Sequence, residues 1–271
     1  MDFSGLEADT AADGRLTAAI GQALVDGALP GELAGFSDEE RAEAARFLLE
    51  CAQQRTSGQP VIRLESVGGA IGQRRVRMGV VNDDMPFLVD SVAAAVAARG
   101  LTIHRLLHPV LDVERDGDGN LAALSGGGKR ESIMYLEIDR ADARGRRELV
   151  DAVGNVLSDV RAAVADWPRL QARMRADALS LGNEEGAALL HWFADGAMTL
   201  LGHEVQCGAS DEGPLGILAC EGISLWSEAA CDAGRRYFAR GGLAPLVVKA
   251  DCLSSVHRRV PLDLVIVPAA D

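Results

Sequence analysis

The amino-acid sequence predicts an α+β protein: a helical lead-in followed by two successive mixed units. Three observations carry this. Apolar residues keep helical spacing up to about residue 54. Between Val76 and Ala165 the pattern runs strand, helix, strand, strand, helix, with a further edge strand near Val61. Beyond Trp167-Pro168 a helical stretch gives way to short strand-like runs.

Arg15 to Gly27 places Leu16, Ile20, Ala23 and Leu24 on one face of a short helix, and Leu29-Pro30-Gly31 breaks it. Ser37-Asp38-Glu39-Glu40 is a capping box, with acids at the positive end of a helix that runs to about Gln54. Its buried face uses Ala44, Phe47, Leu48 and Cys51. This lead-in, residues 1–58, closes on the polar Arg55-Thr56-Ser57-Gly58.

The next block, 59–168, changes period. A possible edge strand lies near Val61 to Ser66, and Val76 to Val81 reads as a second strand. Pro86 suits a first helical turn and Gly100 a helix stop, so 86–99 is a helix burying Leu88, Val92, Ala95 and Val96. Leu101 to Glu114 reads as one long strand, Asp116-Gly117-Asp118-Gly119-Asn120 as a turn, and Glu131 to Ile138 as another strand. A long helix covers about 144–165, with Leu149, Val153, Val156, Leu157, Val160 and Val164 at core spacing. This is most of the β-α-β-β-α-β order of ferredoxin-like folds. The usual last strand is missing after the second helix. Either the strand near Val61 takes its place at the sheet edge, which is the expectation here, or the domain is completed from elsewhere.

Trp167-Pro168 is expected to end that helix. Residues 169–196 read as one or two helices starting at Asn183-Glu184-Glu185, and Ser227 to Arg240 as another. Met198–Val205, Gly216–Cys220, Leu246–Lys249 and Leu262–Val267 read as short strands of a second, smaller and incomplete α+β unit, 169–271.

Composition bounds the function. The 271 residues suffice for roughly two domains. A net charge of −13 disfavours general nucleic-acid binding and docking on anionic membranes. Cys51, Cys207, Cys220, Cys231 and Cys252 show no C-x-x-C spacing, so zinc or redox motifs are not indicated. No signal-like start and no run of about 20 apolar residues is visible, which sets the expectation of a cytoplasmic protein with reduced thiols.

Catalytic signatures fail one by one. Gly68-Gly69-Ala70-Ile71-Gly72 does not fit G-x-G-x-x-G. Gly126-Gly127-Gly128-Lys129-Arg130 lacks the leading glycine of a P-loop, where Ala123 stands, and the Ser/Thr magnesium ligand, where Arg130 stands. It reads as a hairpin tip. No G-x-S-x-G or H-E-x-x-H occurs. A nucleophilic Cys252 beside His257 has no supporting motif.

The distinctive stretch is Val80 to Val92, where a buried strand passes into a helix through Asn82-Asp83-Asp84-Met85-Pro86. One reading is a ligand-binding elbow: amides at the helix start bind a carboxylate, and Asp83 or Asp84 meets an amino group. The other is that Asn82, Asp83 and Asp84 only end the strand and cap the helix, and residue chemistry alone favours it. The candidate ligand residues are Asn82, Asp83, Asp84, Met85, Phe87, Asp90 and Ser91. His104 and His108 share a strand face about 13 Å apart, too far to share a metal, so packing or a domain contact is expected. In the polar run 249–259, Lys249, Ser255, His257 and Arg258 are candidates for an anion or interdomain contact, with a solvated loop as the default.

The run Val81-Asn82-Asp83-Asp84-Met85-Pro86-Phe87-Leu88-Val89-Asp90-Ser91-Val92 resembles the N-terminal ACT-like segment of large bacterial NAD-specific glutamate dehydrogenases. The likeness continues in order through Gly100-Leu101, Ile103-His104, His108-Pro109-Val110, Glu131-Ser132, Leu136-Glu137-Ile138-Asp139 and Asp166-Trp167-Pro168, then through 190–202 and Ser255-Val256-His257-Arg258. It covers about residues 60–267. Where family members have an aromatic-rich strand, this chain has Met198-Thr199-Leu200-Leu201-Gly202-His203.

The resemblance implies an ACT-like domain followed by a PAS-like unit, in a non-catalytic regulatory and assembly region. The parent enzymes convert L-glutamate and NAD to 2-oxoglutarate and ammonia in a downstream domain. By the same resemblance no cofactor is expected in this chain, NAD belonging to that other domain. Expected partners are the downstream domains, further subunits of a homo-oligomer and an amino-acid effector, with no nucleic acid and no membrane. The alternative is a purely structural oligomerisation module without ligand.

Overall fold

The computed structural model describes residues 4–68, 74–124, 126–205, 213–220, 225 and 228–268. Most of the Gly68–Gly72 cluster, Cys207 and the expected helix start at Ser227 lie outside them. By contact density the chain divides into two units, 1–85 with 95–155, and 86–94 with 156–271. Helix α3 (Leu88–Ala97) and helix α4 (Ala143–Ser180) each contribute to both.

In the first unit, helices α1 (Ser4–Asp26) and α2 (Asp38–Ala52) come first. The Ser37 hydroxyl accepts from the Glu40 amide at 3.2 Å, and the Glu40 carboxylate accepts from the Ser37 amide at 2.8 Å. This reciprocal box satisfies two amides that a helix start otherwise leaves without partners. Below it, Phe47, Leu48 and Cys51 of α2 join Ile20 and Leu24 of α1 in one core. Each large side chain removed from water there contributes about 1.5–3 kcal/mol.

That core continues into the sheet. Strands β1 (Val61–Val67), β2 (Arg75–Asp83), β3 (Ile103–Leu107), β4 (Val110–Arg115), β5 (Leu121–Leu124) and β6 (Lys129–Ile138) pair antiparallel in the order β1-β2-β6-β4-β5, with β3 also on β6. The strand near Val61 does occupy the edge beside β2, where a ferredoxin-like fold places its last strand. The crossover through α3 makes β2 and β3 parallel, with β6 between them. Val81, Leu107, Ile133 and Tyr135 face the helical core. Val80, Met134 and Leu136 lie on the opposite face and are equally buried. With both faces covered, β2 and β6 read as nearly continuous apolar runs.

The expected strand 101–114 is two collinear pieces. Leu107 pairs with Tyr135 and Val110 with Ser132, one unbroken register. Pro109 has no N–H, so a ladder bond is lost there, although its carbonyl still accepts from Ile133 N at 3.0 Å. Strand β5 is not expected from its short Leu-Ala-Ala-Leu run. It forms because the Asp116 carboxylate accepts from the amides of Asp118 (2.9 Å) and Asn120 (2.8 Å), and Gly119 takes φ +83°, folding the chain back onto β4.

Helix α4 corrects the sequence reading, because it does not stop at Trp167-Pro168. Proline removes one helical hydrogen bond, but the apolar stripe resumes beyond it. Leu170 and Ala178 are buried in the second unit, and that packing outweighs the local break. Asn183 then caps α5 (Glu184–Trp192), accepting from Gly186 N at 2.6 Å. A π-helical turn, Phe193–Ala197, ends α5.

The rest of the second unit is β7 (Gly202–His203) paired with β8 (Leu215–Gly216), helix α6 (Glu228–Ala239), and β9 (Leu246–Leu253) paired with β10 (Pro261–Ile266). Two expected strands are therefore much shorter. Of Met198–Val205 only Gly202 and His203 pair, since Leu200 is spent on a small apolar cluster with Leu170 and Leu215. Ile217–Ala219 is a 3-10 turn, not a strand. No helix among the described residues is long and apolar enough to cross a membrane.

Candidate functional site at the end of the second strand

The elbow residues are shared between the two units: Asn82, Asp83, Asp84 and Met85 belong to the first, and Phe87, Asp90 and Ser91 to the second.

On the first unit's side, the register sets Asn82 beside Ser132 and Asp83 beside Glu131, all four buried. Two adjacent carboxylates on paired strands would repel, and three cations answer them. Arg55 Nη2 donates to Asp83 at 2.8 Å and to Glu131 at 2.7 Å. Arg115 grips both oxygens of Glu131 at 2.8 Å, and Lys129 lies 2.7 Å from Asp83. Burial alone would raise the pKa of Glu131; the hydrogen bonds and charges of Arg115 and Arg55 outweigh it and hold the carboxyl below its ordinary value. The remaining donors are used too: Arg55 Nη1 reaches Gln59 O, and Arg115 Nη1 reaches Ala52 O and Gly119 O.

Asp83 therefore pins the strand end to the segment after α2 through Arg55 and to the hairpin through Lys129. Asp84 is the acid at the surface. Its amide makes the last ladder bond, to Arg130 O at 3.1 Å, and its carboxylate lies 3.2 Å from the exposed Arg130 guanidinium. His108 bonds Ser132 Oγ at 2.7 Å. Burial lowers its pKa, against the opposing charge of Asp84. Asp84, Arg130, Lys129 and His108 thus form a mixed polar patch at the end of β2.

His104 is separate. It bonds Asp139 at 2.8 Å, and Asp139, which also accepts from Thr102 N at 2.8 Å, is lowered to about 2 by that backbone bond and then by His104. The two strand histidines thus serve different partners.

On the second unit's side, Ser91 is fully buried and its hydroxyl accepts from the backbone N–H of His257 at 2.8 Å. The His257 ring lies 3.5 Å from the Asp90 carboxylate and 5.2 Å, centroid to centroid, from Phe87. Ser255 Oγ donates to Asp159 at 2.6 Å. Lys249 pairs with Asp263 at 2.6 Å across the β9–β10 ladder, and Arg258 is exposed. Cys252 is not activated: burial first, then Asp251, raise its pKa.

Arg55, Arg115 and Glu131 are the residues that sequence reasoning misses. Arg55 reads as part of a polar helix end, and its partner Glu131 is 76 positions away. The available signal is Glu131 itself, a charge opening the otherwise apolar run Ile133-Met134-Tyr135-Leu136. The Gly126–Gly128 turn is no phosphate cradle, since a Cβ at Gly128 would lie 2.5 Å from the Val113 carbonyl oxygen. The glycine is needed for the strand approach.

Comparison with known proteins fits this geometry. A family model described as the glutamate dehydrogenase ACT1 domain matches residues 21–153. An NAD-specific glutamate dehydrogenase of Pseudomonas aeruginosa is 37% identical over 150 residues, covering 49% of this chain and 9% of that protein. The enzyme of the same description from Halomonas elongata is 30% identical over 154 residues, covering 50% of this chain and 10% of its own length. The chain spans about a tenth of the length of these relatives. The matched range takes in the end of α1, the whole of α2 and all six strands of the sheet. Residues 21–153, which include α2, the six-stranded sheet and the elbow, match the ACT1 domain model of glutamate dehydrogenases.

Proposed function

We propose that this chain is a non-catalytic regulatory and assembly region of an NAD-specific glutamate dehydrogenase of the cytoplasm, and that its ACT-like sheet senses an amino acid at the elbow. The supporting observation is the pairing of Asp84 with the exposed Arg130 at the end of β2, beside Lys129 and His108. An amino-acid zwitterion matches such a pair: its ammonium faces Asp84 and its carboxylate takes the planar fork of Arg130. Glu131, Arg55 and Arg115 hold the strand end rigid below the patch, so binding is read out as a change at the elbow. An effector that prefers one arrangement by about 1–3 kcal/mol suffices to regulate. Chemistry on L-glutamate and NAD is assigned to a catalytic domain outside this chain, and the PAS-like reading of 169–271 belongs to the same proposal. Calorimetric titration of the chain with amino acids, with Asp84→Asn as control, tests it. Saturable binding lost in the variant is expected, and heat unchanged by Asp84→Asn would move the site elsewhere.

One observation favours assembly without a ligand. Val247, Val248 and Leu253 of β9, and Val260 beyond it, are 41–51% exposed, apolar surface of the kind that self-association covers. Sedimentation across a concentration series tests that reading, which expects Val248→Asp to weaken any self-association.

A further inference from the structure

We propose that the loop between β9 and β10 is a latch seated on the first turn of α3, with His257 as its positioning residue, and that it carries the state of the elbow into the second unit. The seating stands on the contacts alone; what moves the latch rests on the amino-acid-sensing reading.

Phe87 and His257 are the two non-glycine residues with positive φ among the described residues, at 71° and 64°. Bulky side chains keep that backbone only where surrounding contacts over-determine it. Here the two rings lie 5.2 Å apart, tilted by 42°. The contacts that hold them are specific. The His257 N–H reaches 166 positions back to the buried Ser91 hydroxyl, and Asp90 lies 3.5 Å from the imidazole Nε2. Ser254 Oγ donates to Val256 O at 2.7 Å and accepts from Val256 N at 3.2 Å, which braces the loop from within. Ser255 ties its other side to α4 through Asp159.

Two features make this seat a relay. Phe87 follows Asp84 through Met85-Pro86 only, and the fixed φ of proline leaves this link fewer free torsions than a flexible linker has. At the other end, buried Val256 and His257 form part of the wall of an apolar cavity of about 860 Å³ within the second unit, beside Leu170, Met198 and Phe238. Shifting the latch therefore reshapes the interior of that unit.

Hydrogen exchange on the full chain tests the proposal, with the His257 amide as the probe. In the unaltered chain that amide is expected to be protected. Ser91→Ala should speed exchange across 254–260 by about tenfold, the loss of one hydrogen bond, while Met134 and Leu136 of β6 keep their protection. A His257 amide exchanging at the unstructured rate, or unchanged by Ser91→Ala, overturns the seating. Should Ser91→Ala fail to fold, the unaltered chain's His257 amide decides by itself. An amino acid that binds by calorimetry yet leaves His257 exchange unchanged overturns the relay and spares the sensor. Binding by no amino acid sinks the sensor and the relay together, while the seating still stands or falls on Ser91→Ala.

Discussion

Arg55 and Glu131 lie 76 positions apart in the chain, and the Arg55 guanidinium donates to the Glu131 carboxylate at 2.7 Å, both side chains almost wholly out of water. Such a pair gains little over an apolar replacement of equal shape, but losing one partner leaves an uncompensated buried charge. Arg55→Met is therefore expected to cost about 3–5 kcal/mol, because Glu131 and Asp83 both lose a donor. Urea unfolding followed by far-UV circular dichroism measures it. A loss within about 0.5 kcal/mol, the range of an ordinary surface change, would show that the cluster is not the pin described here.

The same cluster gives a signed pH dependence. The Glu131 carboxyl is depressed below its ordinary 4.5 by Arg115 and Arg55, whose effect exceeds that of burial. A carboxyl with a depressed pKa in the folded chain stabilises fully above the ordinary value, and that contribution disappears as pH falls through the folded pKa. Glu131→Gln should thus be less stable than the unaltered chain at pH 7, with the gap narrowing below about pH 4.5. Urea midpoints of both chains between pH 7 and 3 check it.

Gly79 sits in β2 where α2 comes closest. A Cβ there would lie 2.7 Å from Cys51 Sγ and 3.0 Å from Phe47 Cε1. Gly79→Ala overpacks this contact and should destabilise by about 1–3 kcal/mol, although alanine is ordinarily a better strand residue than glycine. Thermal unfolding of Gly79→Ala against the double change Gly79→Ala/Cys51→Ala separates the effects: relief of the clash should recover part of the loss.

Local rules made much of this fold legible, and long-range pairing hid the rest. Ser37 and Glu40 announce the start of α2 within four residues, because a capping box is a local contact. Val61 at the sheet edge follows from the missing last strand of a ferredoxin-like order. By contrast, continuation of α4 through Pro168 depends on where Leu170 and Ala178 are buried, which no window around Pro168 contains. At the site, Asn82, Asp83 and Asp84 stand out as a polar break after an apolar strand. Their different fates cannot be read locally: Arg55, Arg115 and Lys129 reach Asp83 or its neighbour Glu131 from other parts of the chain. The contact between Ser91 and His257 is equally non-local.

Because the capping box satisfies two amides at once, Ser37→Ala should cost about 1 kcal/mol, and Ser37→Asp substantially less. Thermal melts of the two variants give the comparison. Equal losses would mean that the hydroxyl contributes through something other than capping.

The most direct measurement is isothermal titration of the chain with each common amino acid, repeated on Asp84→Asn and on Arg130→Gln. The expected result is saturable binding of at least one amino acid, weakened about tenfold or more by either change, since each removes a charge-assisted contact to the zwitterion. Absence of binding by any amino acid, with the chain folded, would contradict sensing at this elbow and leave assembly as the role of the domain.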